Sequence, residues 1–258
     1  GPFFYSHLMS KSQGQVKHSK DFNEFDDEGG SKKNLQGIDL KLVALVAISW
    51  SLFQLWYASP LPFILDFGKL IDVPARSVHL AFGLTLCFLS YPVLRTKKKY
   101  KISILDYFLV FVSIVATLYI SFDYEGLVYR QGILANIKLG SLIIPYEVIL
   151  GTLGILLLLE ATRRAIGIPL VVIAVIFLLF SIFGQSMPYL ISHQGLSITR
   201  LVGYHWFGGE AIFGIPISVS VSFIFLFVLF GAILDTAGGG KYFINLAFAL
   251  VGKMRGGP

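Results

Sequence analysis

The sequence predicts an all-α, polytopic membrane protein, and two observations carry that prediction. Of its 258 residues 55% are hydrophobic and only 14% charged, against about 25% charged in soluble domains, and the mean hydropathy is +0.73. The apolar residues also gather into six runs, 40–58, 77–94, 103–122, 141–160, 167–187 and 211–236. At 1.5 Å per residue each can cross a hydrocarbon core of roughly 30 Å. The runs lack the alternation of barrel strands, and lipid gives an open backbone no hydrogen-bond partner, so they are read as helices. A water-soluble fold is excluded, because one core cannot hide so much apolar surface behind so little charge.

Residues 1–39 come first and are polar, with a mixed-charge run that includes Asp21, Asp26, Asp27, Glu28, Lys32 and Lys33. Too little apolar content is present to fold, so this stretch reads as a disordered tail. A Met at position 9 marks the residues before it as an upstream remnant, and no cleaved signal is expected. The lone cysteine, Cys87, excludes an intrachain disulfide framework and a Cys-rich metal site.

Orientation follows from the basic residues. Up to Lys41 there are 6, the five successive loops hold 2, 5, 2, 2 and 1, and 3 follow the sixth run. A cytoplasmic N-terminus places 16 of them inside and 5 outside, the positive-inside pattern. The formal charge of +6 is therefore a topological label, and nucleic acid is not expected as a partner. After the sixth run, 241–252 is too short to span. Lys241, Asn245 and Gly252 lie on one face of it, which fits a helix at the interface or clamped on other spans, with Gly238-Gly239-Gly240 supplying the bend.

Ionisable residues within a membrane are functional suspects, and here almost all sit at span ends. Glu160 is spaced to pair with Arg163 and Arg164. Asp106 and Asp235 fit interfacial or helix-end roles, and Gln54 an interhelical hydrogen bond. His79, His193 and His205 lack the spacing of a helical ligand pair, so no metal site is expected. His193, His205 and Glu210 share the loop between the fifth and sixth runs, which leaves open a membrane-embedded enzyme; aromatic-belt roles beside Tyr204 and Trp206 are the plainer reading. No nucleophile elbow, P-loop or dinucleotide fingerprint occurs. Gly214-Ile215-Pro216 reads as a kink or a hinge in the sixth run.

The segments GEAIFGIP at 209–216, FVLFGAIL at 227–234, AGGGKYF at 237–243 and AFALVGKMRGGP at 247–258 resemble the opening of the large membrane subunit of TRAP transporters, the tripartite ATP-independent periplasmic transporters. LLLLEATRR at 156–164 and the spans before it resemble the small membrane subunit as it appears fused to the large one, in the branch served by TAXI-type binding proteins. The resemblance implies a non-enzymatic, multi-pass permease of a bacterial or archaeal inner membrane. Such a permease takes up an organic anion, commonly a carboxylate, from an extracytoplasmic binding protein on a sodium gradient; sodium is the coupling ion and no other cofactor is implied. It further implies a disordered tail at 1–39, a four-helix small-subunit-like scaffold at 40–164, the start of the large-subunit-like region at 165–258, and an arm helix at 241–252. The glycine/serine-rich re-entrant hairpins that bind sodium and substrate in the family have no counterpart up to Pro258. On this reading the chain is an N-terminal fragment with its substrate and sodium sites beyond Pro258, and no catalytic, cofactor or metal residue is assigned within it. A non-catalytic scaffold subunit stays open as a further alternative.

Overall fold

A computed structural model describes residues 32–70, 72–93, 101–130, 133–139 and 142–251. Seven long helices dominate: α1 (Ile38–Ala58), α2 (Val73–Ser90), α3 (Ile104–Phe122), α4 (Tyr146–Ala165), α5 (Ile168–Ile182), α6 (Ile215–Thr236) and α7 (Gly239–Val251). Local chemistry sets their ends. Ser103 and Asp106 close a capping box on α3, satisfying two backbone donors the helix leaves open. Proline stands in the first turn of α2, α5 and α6, where its missing N–H costs nothing.

Among the described residues four helices, α1, α2, α3 and α6, are long and apolar enough to cross a membrane. The other two expected spans have different forms. Helix α4 has 20 residues but carries Glu147, Glu160, Arg163 and Arg164, and α5 has 15, about 22 Å of rise. The run expected as a helix over 141–160 starts instead in a two-stranded hairpin. Ile137–Leu139 pairs antiparallel with Leu142–Ile144, and the helix begins only at Tyr146. Pro145 explains the delay, because the residue before a proline is driven to extended backbone. The sixth run also starts late. Pro216 opens α6 rather than kinking it, and the irregularity lies further on, in a π-turn over Ser220–Ile224.

The interior is made by α2, α3 and α4 together with a wedge between α5 and α6. Within that wedge, helix Ile198–Val202 runs into a π-turn at Gly203–Phe207, and Trp206 and Phe213 are both fully buried. The Trp206 ring rests on α4 at Gly154, where a Cβ would overlap the indole, and one turn back Gly151 makes room for Val202 and Phe207. The indole Nε1 donates to the Ala116 carbonyl of α3 at 3.3 Å. Small residues admitting a large partner are the usual device of packing in lipid, where apolar surface alone draws helices together weakly. Gly154 lies about 12 Å along α4 from Tyr146, so the wedge reaches well into the bundle. Helix α1 leans on α2 through Trp50 and Phe53 against Phe82, while α5 buries no residue at all.

The short α7 begins inside the glycine run, at Gly239 rather than at the expected 241, so that only Ala237 and Gly238 separate it from the end of α6; Tyr242, Phe243, Ile244, Leu246 and Phe248 on it are exposed. Of the expected tail at 1–39, residues 1–31 lie outside the described residues, as do Gly252, the last residue of the expected arm, and 253–258.

Candidate functional site

Three clusters of polar side chains stand out among the described residues of this apolar bundle. The first lies where α2 ends and α3 begins. Asp106 is buried and accepts from Lys33 Nζ on one carboxylate oxygen and from Arg164 Nη1 on the other, each at 2.7 Å. Lys33 also donates to the Phe88 carbonyl at 3.0 Å, and the Arg164 guanidinium lies 5.0 Å from the centre of the Phe88 ring. Glu160 joins the pairs that its spacing predicts, with Arg163 at 2.7 Å and Arg164 at 2.8 Å. Arg163 and Arg164 reach on to the carbonyls of Val93 and Tyr91 past the end of α2. The network ties α2, α3 and α4 to the residues just before α1. Charges taken out of water are tolerable only when paired and hydrogen-bonded in this way.

The second cluster is at the opposite end. Glu147 is fully buried and accepts from the Tyr119 hydroxyl at 2.6 Å, from Arg130 at 2.5 Å and from the Ala135 N–H. Arg130 also donates to Asp123 at 2.8 Å, and the Tyr119 hydroxyl, whose one proton serves Glu147 at the shorter distance, lies 3.1 Å from the same Asp123 carboxylate. Hydrogen bonding to Asp123, reinforced by the charge of Glu147, holds the Arg130 guanidinium even more firmly protonated than usual, against the cost of partial burial.

The third is central. His79 of α2 takes two N–H donors on Nδ1, from Trp50 at 3.2 Å and from the Gln54 amide, both of α1. Two donors aimed at one nitrogen require its lone pair, which assigns the proton to Nε2. Nε2–H then donates to the Ser220 hydroxyl at 3.1 Å, at the start of the π-turn in α6. Neutral His79 thus joins three helices, and Gln54 makes the interhelical bond expected of it.

The loop trio does not form a site. His193 bonds to the Phe180 carbonyl at 3.0 Å and accepts from the Gly195 N–H at 3.1 Å, tying its loop to the end of α5. His205 bonds to the Leu201 carbonyl at 3.0 Å, within its own helical segment. Glu210 lines a cavity of 520 Å³ with Arg76, Tyr204 and Ser218, whereas His205 lines a separate apolar hollow with Ile155, Phe177 and Ile212. Among the described residues no three His, Cys, Asp or Glu side chains stand close enough to share a metal ion. Asp235 is exposed near the end of α6.

Sequence reasoning passed over Lys33, Arg130, Glu147 and Ser220. Glu147 carried a readable signal, an acid inside the apolar run 141–160 with no base within four residues of it. Gly151 and Gly154, three apart in such a run, were a second one, for close approach of a bulky partner.

These features define a multi-pass helical membrane protein whose polar groups are spent on joining helices. Compared with known families, residues 153–258 match the family model described as "Tripartite ATP-independent periplasmic transporter, DctM component". The matched region starts inside α4 and takes in α5, the wedge, α6 and α7. No curated protein matches the chain, and no solved structure does.

Proposed function

We propose that the chain is the membrane permease component of a TRAP-type secondary transporter. The observation that carries this is the family match over 153–258, continuous with an apolar bundle whose α4 belongs to both parts. The finer reading follows the resemblance. Six spans are assigned, α1 to α6, with the N-terminus cytoplasmic in a bacterial or archaeal inner membrane. Residues 40–164 serve as a small-subunit-like scaffold, 165–258 open the large-subunit-like region, and α7 acts as its arm.

The solute is an organic anion, a carboxylate by preference, delivered by a TAXI-type extracytoplasmic binding protein and drawn in by sodium. The two charged clusters support the scaffold role, since each fixes helix ends by ion pairs that would be costly to break in a low dielectric. No substrate or sodium residue is assigned within the chain.

Membrane vesicles from cells carrying the protein test the reading. With the binding protein added and a sodium gradient imposed, labelled carboxylate should accumulate, and it should fall to background without the gradient, without the binding protein or after deletion of the gene. Uptake indifferent to the deletion would overturn the proposal. Reporter fusions at Lys98 and Tyr189 should report opposite sides of the membrane, the first cytoplasmic.

A further inference from the structure

The segment joining α1 to α2 is unusually greasy for a connection. Leu61, Phe63, Ile64, Leu65 and Phe67 are all exposed, Phe63 at 64%, Ile64 at 70% and Phe67 at 73%. Left in water, such a contiguous patch marks a surface that something covers.

Its place in the fold says what covers it. Phe67 meets the Trp56 ring edge-on at 6.4 Å, and Gly68 comes so near that a Cβ there would lie 3.2 Å from the indole nitrogen. Trp56 is in the last turn of α1, so the segment folds back to the level of that helix end. On its other side it reaches deeper. A cavity of 330 Å³ is lined by Phe63, Gly68 and Lys69 of the segment, Tyr57 of α1, and Ser222 and Leu226 of α6.

Gln54, His79 and Ser220 are hydrogen-bonded to one another in sequence across α1, α2 and α6 and so mark a common level. Ser222 and Leu226 lie beyond that level from Ile215, Leu226 about 16 Å along α6. A segment that lines a cavity with them does not stand clear of the helix ends. Its backbone is partly satisfied within itself and faces protein. Ile64 N–H bonds to the Pro60 carbonyl, Leu65 to Leu61 and Phe67 to Pro62, and non-helical backbone at membrane depth is tolerated where it is buried in protein or lines a water-filled cavity, here the one shared with α6.

We propose that residues 61–70 form a hook inserted into the leaflet at the Ala58 end of α1, with Leu61, Phe63, Ile64, Leu65 and Phe67 among the lipid and the Asp66–Lys69 ion pair at its aqueous edge. The apolar face of the hook continues the exposed Leu52 and Leu55 of α1, which face lipid if α1 spans. Lys69 carries a long apolar stem that lets its ammonium reach the headgroup layer. The inference rests on the reading of α1, α2 and α6 as spans, and it removes this segment from the surface open to a docked protein.

Nitroxide labels in proteoliposomes test it, on Phe63→Cys and separately Ile64→Cys, each in a Cys87→Ala background, with Ile173→Cys on α5 and Glu125→Cys as controls. Power saturation with oxygen and a nickel chelate should give labels at 63 and 64 an oxygen-to-chelate accessibility ratio several-fold above that at 125 and comparable with 173. Chelate access at 63 and 64 equal to that at 125, with 173 still protected, would overturn the hook alone. Shielding of 63 and 64 from both reagents would mean a protein cover and overturn it as well. Chelate access at 173 would sink the spanning reading, and the hook with it.

Discussion

Helices α2, α3 and α4 and helix α5 are built from similar apolar alphabets, yet the first three bury residues in the interior and the last buries none, resting Leu178 and Ile182 on its edge. Phe88, Leu89, Ala116, Ile120 and Ile155 are buried, whereas every residue of α5 keeps some exposure. The difference lies in what interrupts the apolar run. In α2 to α4 the interruptions are Gly151, Gly154 and Ala116, which let Trp206 in, and Asp106, Glu147 and Arg164, which find ionic partners. Between Ile168 and Ile182 the only polar residue is Ser181, which bonds its own helix at the Phe177 carbonyl. In a bilayer a uniformly apolar helix gains little by leaving lipid for protein, so small and polar residues decide which helices associate.

The comparison breaks most violently at Asp106. Replacing it by Ala removes the carboxylate that Lys33 and Arg164 share, both with fully buried side chains, and removing one partner of a buried pair costs about 3–5 kcal/mol. The expected result is near-complete loss of monodisperse protein in detergent, read by fluorescence-detected size exclusion. Asp106→Asn should recover part of it, because the amide oxygen can still accept one of the two bonds.

Trp206→Ala comes next. The indole is fully buried and fills the space over Gly154, and truncating a buried Trp costs about 3–5 kcal/mol when the site cannot collapse. The lower end is expected here, since the wedge can settle towards α4. Gly154→Ala attacks the same contact from the other side. Its new methyl would overlap the ring, and overpacking costs typically about 1–3 kcal/mol. The double variant Gly154→Ala, Trp206→Ala should be less harmful than the sum, as neighbours that share a cavity are not additive. Thermal unfolding in detergent measures all three, and strict additivity would show that the two residues do not meet.

What could be read from the chain follows the range of each interaction. The Asp106 capping box and the Glu160 pairs with Arg163 and Arg164 lie within four residues and are visible as spacing. The bond from Lys33 to Asp106 joins positions far apart in sequence, and nothing local distinguishes Lys33 from the other lysines of the polar tail. Trp206 is similar. An aromatic-belt place was a fair expectation for a tryptophan in a loop, and only the two glycines on α4, distant in sequence, turn it inward. The start of α4 was misplaced for another reason: Leu142, Ile143 and Ile144 are as hydropathic as any helix residue, so an apolar run cannot reveal that Pro145 breaks it.

The smallest expected effect is the sharpest test of the comparison, because it uses one chemical change in both regions. Ile120 is 0% exposed and Ile173 is 51% exposed. Truncating a buried isoleucine to alanine costs about 2–5 kcal/mol in a packed core. In lipid the transfer part of that cost vanishes, because the side chain would be apolar-solvated either way, and only the lost packing remains. Ile120→Ala should therefore fall near or below the low end, about 2 kcal/mol, by thermal unfolding. If α5 spans the membrane, Ile173→Ala exchanges a protein–lipid contact for a lipid–lipid one and should stay within about 0.5 kcal/mol. If the two variants lost stability equally, α5 would be packed against protein along the face that holds Ile173, and the contrast between helices that bury residues in the interior and one that buries none would fail at the residue chosen to show it.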